Sequence, residues 1–364
     1  MPKRISTIMA PKDLGASGTE IIDIKTKDVI SRIVMMWRCV NVTVSVMLAA
    51  VTACISKIEL CDGSEVLSSV EGAELQAINF YDNFAMPHHE ISLTVGGMFE
   101  CGLQIDFGRW LWDPLFGFDP KRFVNPQLKI TWDEDACNTA VVVNEFSVYA
   151  YAFGDETVMP EFMLVNRQVK KYAMAASSHE YPDLPADRPI RKVFVRAYST
   201  DHDPIALLDT IKIGVDNDKH VLMDMKAASI DRILSAMYPA IVQRHTMDAV
   251  VTAKTIHSAL SKDQTLAMLY DGTAFVTAQS KMAVATWTGA LCELTASVDI
   301  AAVSAIITGR MPGNTFPIDL GDPEVPETWL QAQNFGSVEM DVLTSADADA
   351  GDTASIIVQQ SRPY

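Results

Sequence analysis

The 364-residue chain is predicted to be mostly β and to consist of two similar halves in tandem. Three observations carry this expectation. Polar and apolar residues alternate in many short runs, the period of a strand with one buried face. Apolar spacings of three and four, which mark a helix, are confined to a few places. Two groups of motifs also recur in the same order in each half.

In the stretch Val40–Ile55, Val40, Val42, Val44 and Val46 alternate with small polar residues, which predicts a strand. The stretch is too short to span a membrane and is interrupted by Asn41, Thr43, Ser45 and Thr52, so no crossing is expected. Gln127–Trp132 and Ser337–Val342 each alternate three times over, while Asn144–Tyr149 and Lys192–Arg196 are rich in β-branched and aromatic residues. Helices are expected at Gly72–Tyr81, at Ser229–Tyr238 and in part of Asp248–Tyr270.

The repeat reads as follows. Ile58–Leu60 leads into Cys61-Asp62-Gly63, then Val66-Leu67, then a helix; Ile211–Ile213 leads into Gly214–Asp218, then Val221-Leu222, then a helix. Both are strand, tight turn, strand, helix, and the turn residues are those that accept positive φ in a hairpin. Further on, Gln127–Trp132 runs through the acidic loop Asp133–Asp135 into Asn138-Thr-Ala and a strand. Ser337–Val342 runs through a loop holding Asp347 and Asp349 into Asp352-Thr-Ala and a strand. The second half is longer between its matched motifs, which places an insertion around residues 238–317. Tandem antiparallel sandwiches fit this order, and the first half has room for the eight strands of a jelly roll. The expected division is an N-terminal arm at 1–27, a first jelly roll at 28–156 and a second at 157–364. The insertion is expected to decorate the second, outside its core.

With 46 acidic and 29 basic residues the formal charge is −17, and no basic block of five exists, which argues against nucleic acid as a main partner. Cys39, Cys54, Cys61, Cys101, Cys137 and Cys292 form no CxxC pair, so reduced thiols buried in sheets, in a protein that folds in a cytosol, are expected. The start MPKRISTIMAPK lacks the apolar core of a secretory signal. Its Lys3, Arg4 and Lys12, with no acid among them, suit an anionic lipid surface or a neighbouring subunit; a frayed end is the alternative.

Chemistry is sparse. In His88-His89-Glu90 only His88 and Glu90 could share a ligand set on a strand, and a polar strand entrance is the default reading. Asp201-His202-Asp203 precedes Pro204 and reads as a turn. The acidic loops Asp133–Asp135, Asp216–Asp218 and Asp347–Asp352 lack the spacing of a twelve-residue calcium loop and read as solvated hairpin tips. Trp110 and Trp112, expected on one sheet face, could stack on a sugar, but buried packing or a subunit contact is the default reading. No residue is assigned a catalytic, cofactor-binding or metal-binding role, and no enzyme or cofactor is expected.

Ile58–Tyr81 resembles the strand–turn–strand–helix opening of double jelly-roll major capsid proteins of tailless icosahedral viruses, including membrane-containing phages. Gly96–Trp132 is similar to their later strand–loop–strand block, with Phe107-Gly108-Arg109 closing one strand and Asn125-Pro126 opening the next. Ala354–Tyr364 is similar to their terminal strand. The resemblance implies two jelly rolls side by side in a homotrimer that mimics a hexagon and tiles a shell with neighbouring capsomers. It implies assembly in a host cytoplasm and residence in the virion capsid, with the N-terminal arm turned toward an internal membrane or minor capsid proteins. The alternative is a tandem β-sandwich module that binds carbohydrate.

Overall fold

The computed structural model describes residues 3–41, 49–94, 96–136, 141–154, 158–248, 254–270, 275–277, 282–288, 291–296 and 302–364. The first half contains β1 (Arg4–Asp13), β2 (Ser17–Asp23), β3 (Ile30–Asn41), β4 (Ile55–Asp62), β5 (Glu65–Val70), helix α1 (Gly72–Asn83), β6 (His89–Leu93), β7 (Met98–Asp106), β8 (Pro126–Asp133) and β9 (Val141–Ala152). The second contains β10 (Phe162–Ala173), β11 (His179–Glu180), β12 (Ile190–Tyr198), the single turn α2 (Pro204–Leu207), β13 (Leu208–Val215), β14 (His220–Lys226) and α3 (Ala227–Met237). Then come β15 (Ile241–Asp248), β16 (Lys254–His257), β17 (Ser261–Tyr270), β18 (Phe275–Thr277), β19 (Met282–Thr288), β20 (Leu291–Ala296) and β21 (Ala302–Arg310). The chain closes with β22 (Thr315–Asp319), β23 (Val338–Thr344) and β24 (Thr353–Pro363).

Each half is a sandwich. In the first, the run β1-β9-β3-β7-β6 faces β2-β8-β4-β5; in the second, β10-β24-β12-β22 faces β11-β23-β13-β14. Alternation explains the packing. On β8, Leu128, Ile130 and Trp132 point inward between half-exposed neighbours, and Trp132 meets Trp37 of β3 at 6.3 Å between ring centroids. On β23, Val338, Met340 and Val342 do the same against Ile211 and Ile213 of β13. Cys39, Cys54, Cys61 and Cys101 are buried. Cys137 and the side chain of Cys292 lie outside the described residues, as does the alternating run beyond Asn41.

The repeat is visible in the register. β3 begins at Ile30 with a bulge before Arg32, and β12 begins at Ile190 with a bulge before Lys192. Ile30 bridges to Phe118, and Ile190 to Leu330. Arg32 lies opposite Asp106, and Lys192 opposite Asp319. The hairpins match as well. Gly63 takes φ +58° in one, and Asp216, Asn217 and Asp218 take +54°, +56° and +62° in the other. One detail differs from the sequence alignment. Ile58 faces Ile130, whereas Ile211 faces Val342, so β23 sits two residues from the position assigned to it. A two-residue slip keeps every side chain on its own face, and alternation alone does not detect it.

Three further expectations are corrected. Residues 4–23 are not an arm: β1 pairs with β9 and β2 with β8, forming one edge of each sheet of the first sandwich. Helical spacing within Asp248–Tyr270 misleads, since the described residues there form β16 and β17, the latter paired with β21. Short apolar runs fit either period, and cross-strand pairing decides between them. The interval 238–317 is not a decoration outside the cores. β15 pairs in parallel with β6, so β15, β21, β17 and β18 extend the first sandwich's sheet to nine strands. Ile241, Leu260, Ala305 and Ile307 are buried in its core. Among the described residues of this interval, β16, β20 and β19 form a sheet of their own.

Candidate assembly junction

The two sandwiches meet along α1. This helix starts with a capping box: the Glu71 side chain accepts from the backbone of Glu74, and the Glu71 N–H donates to Glu74 Oε2 at 2.9 Å. It ends at Phe84, whose φ of +54° is left-handed. Gly72 through Tyr81 are all buried, because one side packs on the first sandwich and the other on the second. The sheets join here too, with β5 beside β10 in parallel through Ser69 and Arg167.

The contact is charged and paired. Asp82 Oδ1 lies 2.6 Å from Arg191 Nη1 and 3.1 Å from Lys192 Nζ, and Gln359 Nε2 donates to Asp82 Oδ2 at 2.8 Å. Burial alone would raise the Asp82 carboxyl pKa, but the two cations and the amide outweigh it and bring it down to about 2. Asp319, with the same cations but fewer hydrogen bonds, is pushed up by burial. Glu74, fully buried, accepts from Gln168 Nε2 at 2.7 Å and Ser355 Oγ at 2.5 Å. Glu71 pairs with Lys171 and, at 3.2 Å, with Arg196. Tyr81 donates its hydroxyl to the Thr315 carbonyl at 2.8 Å. Gly313 fits tightly, since a Cβ there would sit 2.6 Å from the Ala73 carbonyl oxygen. Desolvated charges that are paired in this way, as Asp82 is with Arg191 and Lys192, fix one arrangement of two bodies more than they add net stability.

The candidates singled out by sequence lie apart from one another. His88 is half-exposed beside Glu100, 3.2 Å away. His89 turns inward, with Gln76 Nε2 3.1 Å from its Nδ1. Asp201 and His202 form a turn in which Ser199 Oγ accepts both backbone N–H groups, at 3.0 and 3.2 Å. In the acidic loops, Asp133 accepts from the Asp135 N–H, Asp349 from Gly351 and Asp352 from Asp349. Asp218 pairs with Lys212 at 2.6 Å. Trp110 and Trp112 are in a loop after β7, not on a sheet face. Arg109 lies over Trp110, and Trp112 packs against Phe153. The bases of the N-terminal segment are engaged locally: Arg4 with Asp28, Lys12 with Glu20, and Lys3 over Trp112.

Sequence reading missed a buried polar group on β15. His245 and Gln243 share the inward face with His89 of β6 beside them. Burial lowers the His89 pKa to about 4 and that of His245 to about 3, with each near another imidazole. Among the described residues no three His, Cys, Asp or Glu side chains converge as a metal site, and no helix is long and apolar enough to cross a membrane.

Two jelly rolls standing side by side, locked through one helix, define the double jelly-roll fold. Solved viral capsid proteins share it over nearly their whole length. The STIV MCP matches with a TM-score of 0.62 at 12% identity, covering 99% of this chain and 96% of that one. The major capsid protein P2 of Bacteriophage PM2 matches with a TM-score of 0.57 at 12% identity, covering 100% and 98%. The PBCV-1 virus capsid matches with a TM-score of 0.56 at 10% identity, covering 99% and 94%. No family model and no curated protein matches the sequence.

Proposed function

We propose that this chain is a structural building block of a virion shell, a major capsid protein with a structural rather than a catalytic role. The observation that carries the reading is the junction. A buried, charged contact joins the two sandwiches into one block, and that fold is shared over nearly the full length with viral capsid proteins. Three such blocks give six similar lobes, which tile a near-hexagonal lattice as homotrimers in an icosahedral capsid. Trimers would meet neighbouring capsomers through their rims, after folding in the host cytoplasm. Contact with an internal membrane or minor capsid proteins would fall on the N-terminal edge formed by β1, since the segment is a strand and not a free arm.

Electron microscopy of the expressed full-length protein tests this reading. Particles with a hexagonal outline and three-fold symmetry are expected. A field of isolated two-lobed particles at every concentration would overturn it.

A further inference from the structure

At the first turn of α1 the two sandwiches leave a cavity of about 360 Å³ between them, a volume in the range of small-molecule sites. The first sandwich contributes Thr52 and Ala53, the start of β4, and Glu71 and Ala73 of α1. The second contributes Lys171 of β10 and Arg196 and Tyr198 of β12. Gly313 and Asn314, just before β22, line it as well.

The lining is of two kinds. Ala49, Ala50, Ala53, Ile55, Ala73 and Ala259 are apolar and, Ile55 apart, too short to fill the space. Lys171, Arg196 and Asn314 bring hydrogen-bond donors. Glu71 bridges the two cations: it pairs with Lys171, and Arg196 Nη1 lies 3.2 Å from its Oε2. Arg196 Nε donates to the Gly313 carbonyl at 2.9 Å. Two cations against one carboxylate leave these side chains with a net positive charge, in a chain whose formal charge is −17.

Asn314 points to an occupant. It is 2% exposed, and its Nδ2 has no partner among the described residues. A buried amide nitrogen ordinarily finds an acceptor. The backbone fixes where this one lies. Asn314 takes φ +57°, its N–H donates to the Met311 carbonyl at 2.9 Å, and Gly313 before it is backed against Ala73.

We propose that this cavity binds a single-chain amphiphilic acid, a carboxylate on an unbranched alkyl chain of medium length. The carboxylate would accept from Asn314 Nδ2 beside Lys171 and Arg196, where hydrogen bonds to an ionised acceptor are strong. The alkyl chain would displace water from the alanine-lined space. The site lies within one chain, so it holds whether or not copies assemble.

Equilibrium dialysis of the full-length protein against radiolabelled dodecanoate, below its micelle concentration, tests this. One dodecanoate should bind per chain. Dodecanol lacks the charge and acetate lacks the chain, so each should bind at least about tenfold more weakly. Ala53→Trp should block the cavity and Lys171→Gln should weaken binding about tenfold. Both residues are exposed, so the fold tolerates these changes. Asn314→Asp, which sets a like charge where the amide donor stands, should lose binding. Dodecanoate that shows no saturable uptake, or uptake that Ala53→Trp and Lys171→Gln leave unchanged, overturns the site. Equal affinity for dodecanol overturns the assignment of an acid.

Discussion

Asp82, near the end of α1 in the first sandwich, lies 2.6 Å from Arg191 in the second, with their side chains 3% and 2% exposed. Arg191 and the adjacent Lys192 share this carboxylate. Removing one charge from such a group leaves the others desolvated and unpaired.

The first prediction follows. Asp82→Asn should cost about 3–5 kcal/mol of unfolding free energy at pH 7. The Asp82 pKa is about 2 in the folded chain, below its ordinary 3.8, so its stabilisation is present above pH 4 and lost as pH falls toward 2. Urea unfolding across that range should show the penalty shrinking with acidity. A penalty that stays constant would contradict the assignment.

A second prediction concerns His89 and His245. Both are held neutral by burial, at about 4 and about 3 against an ordinary 6.5, so the unfolded chain binds protons that the folded chain refuses. Stability should fall as pH drops below 6.5, by up to about 1.4 kcal/mol per pH unit for each group. Among the described residues neither His245 ring nitrogen has a partner, so His245→Phe should be near neutral at pH 7.5 and less acid-sensitive than the parent. Paired unfolding curves at pH 7.5 and 5 decide this.

The third separates core from decoration. Ile307 of β21 is fully buried in the first sandwich's core, although it lies in the interval expected from sequence to be surplus. Ile307→Ala should cost about 2–5 kcal/mol, as for a core position. A loss under 0.5 kcal/mol would restore the sequence-based view.

The fourth concerns the second hairpin. Asn217 is the middle one of three consecutive left-handed residues. Asn217→Val should cost roughly 1–2 kcal/mol, and Asn217→Gly should be neutral or stabilising. Equal losses in both would place the cause outside the backbone conformation. Thermal melts of the two variants report the difference.

Much of the fold was legible because many strands have one buried face. β8 and β23 alternate in sequence because they alternate in burial. β1 gave no such signal: as an edge strand it is exposed on most positions of both faces, and RISTIMAPKD carries no period. The junction was also silent. No motif sets Glu71, Glu74 and Asp82 apart from the other acids of the chain, and their partners Lys171, Arg191, Lys192, Arg196 and Ser355 are about a hundred residues or more away in the chain. No local pattern encodes a partner at that distance. The interval 238–317 reads as an insertion from the spacing of the motifs alone, whereas the pairing of β15 with β6 is a tertiary contact that no local pattern encodes.

The native mass of the full-length chain tests the central claim most directly. Light scattering coupled to size exclusion at tens of micromolar should return three times the chain's 39.9 kDa, independent of dilution over a decade, as an obligate interface requires. A mass of 39.9 kDa throughout would contradict the account of this protein as a shell-forming block.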